Sequence, residues 1–289
     1  MRHEIDSLKL EFDRLLDEIN DPSTNHRRRA LIGDRLAEMG DHRPGVGLRP
    51  DGLPDIEWCA VPGGRVTLEK DAGTFEVQPF EMARYPITYV QYRAFLEAAD
   101  GCPNEQWWQG LPHPAAPGQQ NRLTDNHPAE RVSWFDAIAF CRWLSWRLAA
   151  RFDPMDAMTW AVRLPTELEW QQAATGGSPD NVYPWGAAWD AAKANTSESG
   201  LSRTTAVGMY PHGMVAGLGM LDMSGNVVEW CLSVRGDPRK IDINPSDARV
   251  VRGGSWDGPR FYARAAGRHD HAPAPRHYRF GFRLVRSAP

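Results

Sequence analysis

Arg252-Gly-Gly-Ser-Trp256, then Asp257-Gly-Pro-Arg-Phe-Tyr-Ala-Arg-Ala-Ala-Gly-Arg-His-Asp-His-Ala-Pro-Ala-Pro-Arg-His-Tyr-Arg-Phe280, then Gly281-Phe-Arg283, lie near the end of this 289-residue chain. The two flanks read as a frame, and the stretch between them as an irregular, aromatic and basic filling. Within it Arg264, Ala266, Arg268, Pro273 and Arg276 read as further frame. Asp257, Gly258, Phe261, Tyr262, Gly267, His269, His271, His277, Tyr278 and Phe280 read as filling. Tyr and Phe give large contact area at little rotamer cost while small residues shape a pocket, so this composition points to a recognition surface. The competing expectation is a structural loop whose aromatics pack inward.

Composition narrows the remaining choices. With 42% hydrophobic and 24% charged residues the chain is an ordinary globular one, long enough for a full core. A net charge of -4 gives no drive toward nucleic acid or an anionic membrane. No apolar run is long enough to span a bilayer, and the charged start Met1-Arg-His-Glu-Ile-Asp6 lacks a signal-peptide core, so a cytoplasmic location is expected. Arg outnumbers Lys 29 to 4, a hint of a GC-rich prokaryotic genome and a thermophile. Cys59, Cys102, Cys141 and Cys231 show no CxxC spacing and are expected to be inert.

Residues 1–50 are expected to form a helical segment and linker, ahead of one domain over 51–289. Ile5, Leu8, Leu10, Phe12, Leu15, Leu16 and Ile19 recur at near-helical spacing up to the break at Asp21-Pro22-Ser23. A second helix over 25–39 carries Ala30, Leu31, Leu36 and Met39, and a Pro/Gly-rich linker runs from Pro44 to Pro54. The hairpin either packs on the main domain or offers a docking site to a protein partner. Strands are predicted over 58–68 and 74–82 around a turn at 70–73. Thr88-Tyr-Val-Gln91, Ser133-Trp-Phe-Asp136 and Thr166-Glu-Leu-Glu169 each predict a helix start with a capping box. A few helices, short strands and long loops make an α+β domain.

Seven phrases in order resemble the formylglycine-generating (sulfatase-modifying) family. They begin at Tyr85-Pro-Ile-Thr-Tyr-Val-Gln-Tyr92, His127-Pro-Ala-Glu-Arg-Val-Ser-Trp134, Arg163-Leu-Pro-Thr-Glu-Leu-Glu-Trp170 and Tyr183-Pro-Trp-Gly186. Met223-Ser-Gly-Asn-Val-Val-Glu-Trp230, Arg252-Gly-Gly-Ser-Trp256 and Gly281-Phe-Arg283 complete the set. The resemblance implies a C-type lectin-like fold. It also implies one of three activities, since the family includes copper oxidases, iron-dependent sulfoxide synthases and retroelement-diversified variable proteins. The oxidases need a thiolate pair in the terminal stretch, where soft ligands bind Cu(I), and this chain has no cysteine there. The synthases need a His-rich helical domain, and the N-terminal helices offer only His3, His26 and His42. Neither copper nor iron is therefore expected.

Retroelement mutagenesis of adenines leaves variable positions without Lys, Glu, Gln, Met and Trp. Those five types make up 48 of 289 residues and are absent from 257–280. From composition alone that is roughly a one-in-a-hundred absence. A non-catalytic diversity-generating retroelement variable protein is thus expected, binding a protein or other macromolecular ligand through a region of about 252–286. The alternative is a divergent oxidoreductase that has lost the copper pair. The resemblance further implies Ca²⁺ held by Asp222, Gly225, Val227 and Glu229, a mixture of carboxylates and carbonyls that suits a hard cation. His269, His271 and His277 are expected to be surface side chains, since i, i+2 spacing makes a poor metal site. The arginines of 257–280 are expected to pair with buried acids such as Glu169 or Glu229, which argues against nucleic acid.

Overall fold

The computed structural model describes residues 2–150 and 161–287, with side chains described from Asp6 to Arg286. Helix α1 spans Arg2–Asn20 and α2 spans His26–Glu38, separated where the proline was expected to break them. Asn25 caps α2 by accepting from the Arg28 amide. The apolar stripe of the hairpin is Phe12, Leu15, Ile19, Ile32 and Leu36, and it packs on Ala206, Met209 and Tyr210. Arg29 locks the joint: fully buried, it donates to the Ile19, Met209 and Thr24 carbonyls and lies over the Tyr210 ring. The hairpin therefore belongs to the body of the domain. Its buried apolar face is spent there, while Leu8, Leu10 and Leu31 are exposed outside it.

The stretch 44–54 is a fixed strap rather than a loose linker. Val46 and Leu53 are buried, Thr88 Oγ1 donates to the Val46 carbonyl, and Gln91 Nε2 donates to those of Gly45 and Gly47. Its carbonyls are satisfied by the first turn of α3 (Tyr89–Glu97), a long-range pairing that Pro/Gly content does not reveal.

All three capping boxes form: Thr88 with Gln91, Ser133 with Asp136, and Thr166 with Glu169. They open α3, α4 (Trp134–Ala149) and α5 (Glu167–Thr175). Helix α4 is buried along most of its length, with Phe140, Trp143 and Leu144 packed against Tyr92, Phe95, Trp230 and Phe282 in the main core.

One four-stranded sheet has the order β1 (Trp58–Val61), β4 (Phe80–Ala83), β10 (Val285–Ser287), β5 (Val162–Arg163). Strands β2 (Gly64–Thr67) and β3 (Thr74–Val77) form a hairpin through the expected turn, where Lys70 and Asp71 have positive φ. A second four-stranded sheet has the order β8 (His269–His271), β7 (Arg249–Arg252), β6 (Val228–Val234), β9 (Phe280–Gly281).

That second sheet explains the frame. Glu229 on β6 sits opposite Arg252 on its antiparallel neighbour and opposite Gly281 on its parallel one. The chain leaves the sheet at Arg252 and returns at Gly281, on the two flanks of a single residue. Gly281 has no alternative here, because a Cβ would lie 2.6 Å from the Ala129 carbonyl oxygen. Gly254, at φ +70, would put a Cβ 2.9 Å from the Tyr262 backbone.

Beneath the frame, Glu229 is fully buried and paired with Arg283, whose Nε and Nη2 reach its two oxygens at 2.7 and 2.7 Å. Removing the negative partner leaves an uncompensated buried guanidinium. We expect Glu229→Gln to cost about 3–5 kcal/mol in denaturant unfolding at neutral pH. A loss below about 1 kcal/mol would show that the pair is not what holds the frame.

Candidate functional site

Six of the ten expected filling residues line one cavity of about 300 Å³: Asp257, Gly258, Tyr262, His269, His271 and Phe280. Around it, Phe261 is 58% exposed with its ring set edge-on to Tyr262, centroids 5.6 Å apart. Tyr262 in turn meets His269 edge-on at 4.8 Å. His277 packs against His271 at 5.4 Å and Phe280 at 5.0 Å, so it braces the cavity without lining it. Tyr278 faces a neighbouring cavity of about 400 Å³ that Trp256, Arg122, Arg131 and Arg203 also line.

Asp257 links the two cavities. It accepts from Ser255 Oγ, from the Tyr278 hydroxyl at 2.8 Å and from Arg279 Nη1 at 3.2 Å. Burial works against its charge, but the Ser255 and Tyr278 hydrogen bonds and the Arg279 guanidinium hold it below the usual carboxylate range. Burial, followed by the nearby Arg235 charge, lowers His269; burial also lowers His271.

Two expected filling positions are corrected. Gly267 is buried, its carbonyl accepts from Arg252, and a Cβ there would lie 3.1 Å from the Arg264 carbonyl oxygen, so it is frame. Phe280 is only 1% exposed and packs edge-on against Trp230 at 4.8 Å, which makes it the floor of the cavity and part of the core.

The three frame arginines inside the stretch, Arg264, Arg268 and Arg276, each pair with an acid elsewhere in the fold. Arg264 pairs with Glu69, Arg268 grips Glu167 with two bonds of 2.7 and 2.7 Å, and Arg276 grips Asp136 at 2.7 and 2.6 Å. The Pro273 carbonyl accepts from the Trp134 amide and the Ala266 carbonyl from Arg252. The partner acids differ from those expected, because Glu169 is taken by Arg163 and Glu229 by Arg283. Local spacing shows that an arginine is anchored, not which distant helix supplies the carboxylate. Arg279 pairs with Asp257, so four of the five arginines of 257–280 are neutralised within the fold.

Ser255, Pro259, Arg252 and Arg279 line the cavity and were not among the expected site residues. The ion pair between Asp257 and Arg279 spans 22 positions and leaves no mark in the sequence.

The expected calcium set does not fit the structure. Both oxygens of Glu229 are occupied, one by Arg283 and the other by Arg283 and the Trp170 indole N–H at 2.8 Å. The positive charge that a cation would supply to Glu229 comes instead from Arg283. Gly225 and Val227 shape the backbone beneath it, with Gly225 at φ +81 beside the Asn195 carbonyl. Asp222, in the left-handed region at φ +56, accepts from the Gly208 amide, and burial pushes its carboxyl up to about 6. Among the described residues no group of three His, Cys, Asp or Glu is placed to hold a metal ion. All four cysteines are free, and burial raises each thiol, Cys102 to about 11 and Cys231 well above its ordinary value. They are poor nucleophiles and poor thiolate ligands. No described helix is long and apolar enough to cross a membrane.

An α+β, C-type lectin-like scaffold with long stapled loops is the fold of the formylglycine-generating class. The chain belongs to the sulfatase-modifying factor enzyme 1-like domain family, which matches residues 53–288. It is 28% identical to mouse inactive C-alpha-formylglycine-generating enzyme 2, over 79% of this chain and 85% of that protein. It is 27% identical to the formylglycine-generating enzyme of Thermomonospora curvata, over 68% of this chain and 81% of that enzyme. Its fold is shared with Treponema denticola variable protein 1, with a TM-score of 0.56, 22% identity, and coverage of 80% and 95% of the two chains.

Asp222 generates a pH prediction. Its native pKa lies above its unfolded value, so the native state holds the extra proton between about pH 4 and 6. This contribution to stability therefore falls as pH rises through that window and is least favourable above it. Asp222→Asn keeps the acceptor and suits positive φ, so we expect it to gain about 1–3 kcal/mol at pH 7 and to lose the fall in stability that this group imposes between about pH 4 and 6. With Glu229 closed, melting temperatures of the parent protein in calcium and in chelator should coincide; a clear rise in calcium would reinstate the ion.

Proposed function

We propose that this protein is a non-catalytic ligand-recognition module, a diversity-generating retroelement variable protein that presents residues 257–280 to a macromolecular ligand. The carrying observation is the division of labour within one segment. Tyr262, His269 and His271 line one cavity, while Arg264, Arg268 and Arg276 pair with acids elsewhere in the fold that fix the backbone. Such a surface tolerates exchange because its exposed side chains do not hold its shape. The likeness of fold to a variable protein and the similarity to a relative named as inactive support the same reading.

Sequencing the 3′ end of this gene and its flanking DNA in many cells of the source population tests it. Codons for Asp257, Tyr262, His269 and His271 should vary at sites matching adenines in a near-identical repeat, and those for Arg264, Arg268 and Arg276 should not. Invariant codons with no template repeat would sink the reading.

The same division predicts stabilities. Replacing Phe261, Tyr262 and Tyr278 with Ser singly should change unfolding free energy by no more than about 1 kcal/mol each. Arg268→Ala strands the buried Glu167 carboxylate and should cost about 3–5 kcal/mol. Equal costs in both groups would mean that the aromatics are structural.

A further inference from the structure

The second cavity, of about 400 Å³, is built almost entirely from outside the filling. Tyr278 is the one residue of 257–280 that lines it; the other walls come from the segment ahead of α4, from 202–204 and from Trp256 of the frame. Arg122, Arg131 and Arg203 lie on those walls. Arg203 is committed to Asp34, but Arg122 and Arg131 form no ion pair among the described residues. Arg122 is exposed and Arg131 half-buried, so both side chains are open to solvent. Glu130 is the one acid lining the cavity; it is buried, and its Oε1 accepts from the Asn121 and Arg122 amides at 2.8 and 3.2 Å. With Asp34 counted against Arg203, two guanidiniums remain for one carboxylate that the backbone already holds.

The chain bearing these arginines is pinned. Gln120 accepts from the Glu130 amide and donates to the Glu130 carbonyl, closing the loop between them. Arg131 donates through Nε to Asn121 Oδ1 at 2.8 Å and through its amide to the His277 carbonyl at 3.2 Å. Arg131 also holds φ +52, a conformation that a long side chain rarely adopts. Six described non-glycine residues have positive φ, and two of them, Arg131 and Ser202, line this cavity. Backbone strain of this kind concentrates at ligand clamps. The Trp256 and Tyr278 rings, with centroids 5.6 Å apart, add an apolar flank beside which a contact between charges is less screened by water.

Resting on the recognition reading above, we propose that this cavity is a constant subsite for an oxyanion of the ligand, a carboxylate or a phosphate ester, held by Arg122 and Arg131. A guanidinium presents forked N–H donors that match such groups, and two of them converge here from one pinned segment. The first cavity, lined by Asp257, Tyr262, His269 and His271, changes with the filling. The second keeps its arginines in every variant of the surface. An acidic group of the ligand is then seated in the same place each time, and the neighbouring filling selects among ligands that carry one.

The test is an NMR and calorimetric titration of the full-length protein with inorganic phosphate and N-acetylglutamate, with chloride as the reference anion. We expect one saturable site, with shifts centred on the Asn121 and Arg122 amides and the Trp256 indole. Arg122→Gln and Arg131→Gln should each weaken binding about tenfold, and the double variant should abolish it. Tyr278→Ser, a change of filling, should alter the dissociation constant by less than about threefold. Arg27→Gln, which removes the same charge from the exposed side of α2, should leave it unchanged. Tighter binding of N-acetylglutamate than of phosphate supports the site with an acidic side chain as its natural group, and the reverse order supports it with a phosphorylated one. Absence of saturable binding by the parent protein overturns the proposal, as does binding that survives the double variant or weakens equally with Arg27→Gln. Loss of binding in Tyr278→Ser would overturn the constancy of the subsite. Varying codons without anion binding would sink this inference alone. Anion binding with invariant codons would sink the recognition reading and leave the cavity chemistry standing.

Discussion

The contact between Glu229 and Arg283 is the constraint on which the rest of the structure depends. Arg283 does more than neutralise the carboxylate: it donates to the Ala83 and Leu221 carbonyls while Trp170 of α5 donates to the same glutamate. One buried ion pair thereby ties β4, β6, α5 and the segment after β9 to a common point. Such pairs contribute little net stability over an apolar substitute but penalise any arrangement that separates them. Here the penalised arrangements are those in which β9 slips along β6. The register that puts Gly281 beside Glu229 is held as a consequence.

Fixing both ends does not fix the loop between them, and the three arginine staples complete that task. Glu69, Glu167 and Asp136 come from three separate places, the loop after β2 and the starts of α5 and α4. Two of the arginines reach further, Arg276 to the Ala116 carbonyl and Arg264 to the Phe261 carbonyl and ring. Two-pronged pairing is directional as well as attractive, so each staple sets the angle of the chain at its Cα. Exposed side chains between the staples that do not touch them then contribute nearly independently to stability, whereas Phe261 lies against the Arg264 guanidinium. That independence is the physical condition for a surface that varies.

Much of this was legible in the sequence, and the failures have definite causes. Capping boxes at Thr88, Ser133 and Thr166 are local, three residues wide, and appeared where their spacing placed them. Arg264, Arg268 and Arg276 stood out as frame because their type and spacing differ from the filling. Their partners did not, since Glu167 and Arg268 are separated by 101 positions. Gly267 and Phe280 were misplaced for the same reason: burial of a small or aromatic residue in an irregular loop depends on what lies over it. The single carboxylate of Glu229 suits a metal ligand and a salt bridge equally well. Only the position of Arg283 decides between them.

The N-terminal hairpin is connected to the same surface by a further set of charges. Asp34 on α2 grips Arg203 with two bonds, 2.9 and 2.6 Å, and lies 3.4 Å from His127 Nε2. Burial opposes the charge of Asp34, but hydrogen bonds from His127 and Arg203 hold its carboxyl well below the usual range. Arg203 in turn lines the second cavity beside Trp256 and Tyr278, and Tyr278 donates to Asp257 on the wall of the first. Ion pairing from α2 thus reaches one wall of the cavity whose other wall carries Trp256 and Tyr278. The hairpin itself is packed through Phe12, Ile32 and Leu36 on Ala206, Met209 and Tyr210. Residues 2–38 therefore brace the segment around Arg203 that forms one wall of this cavity.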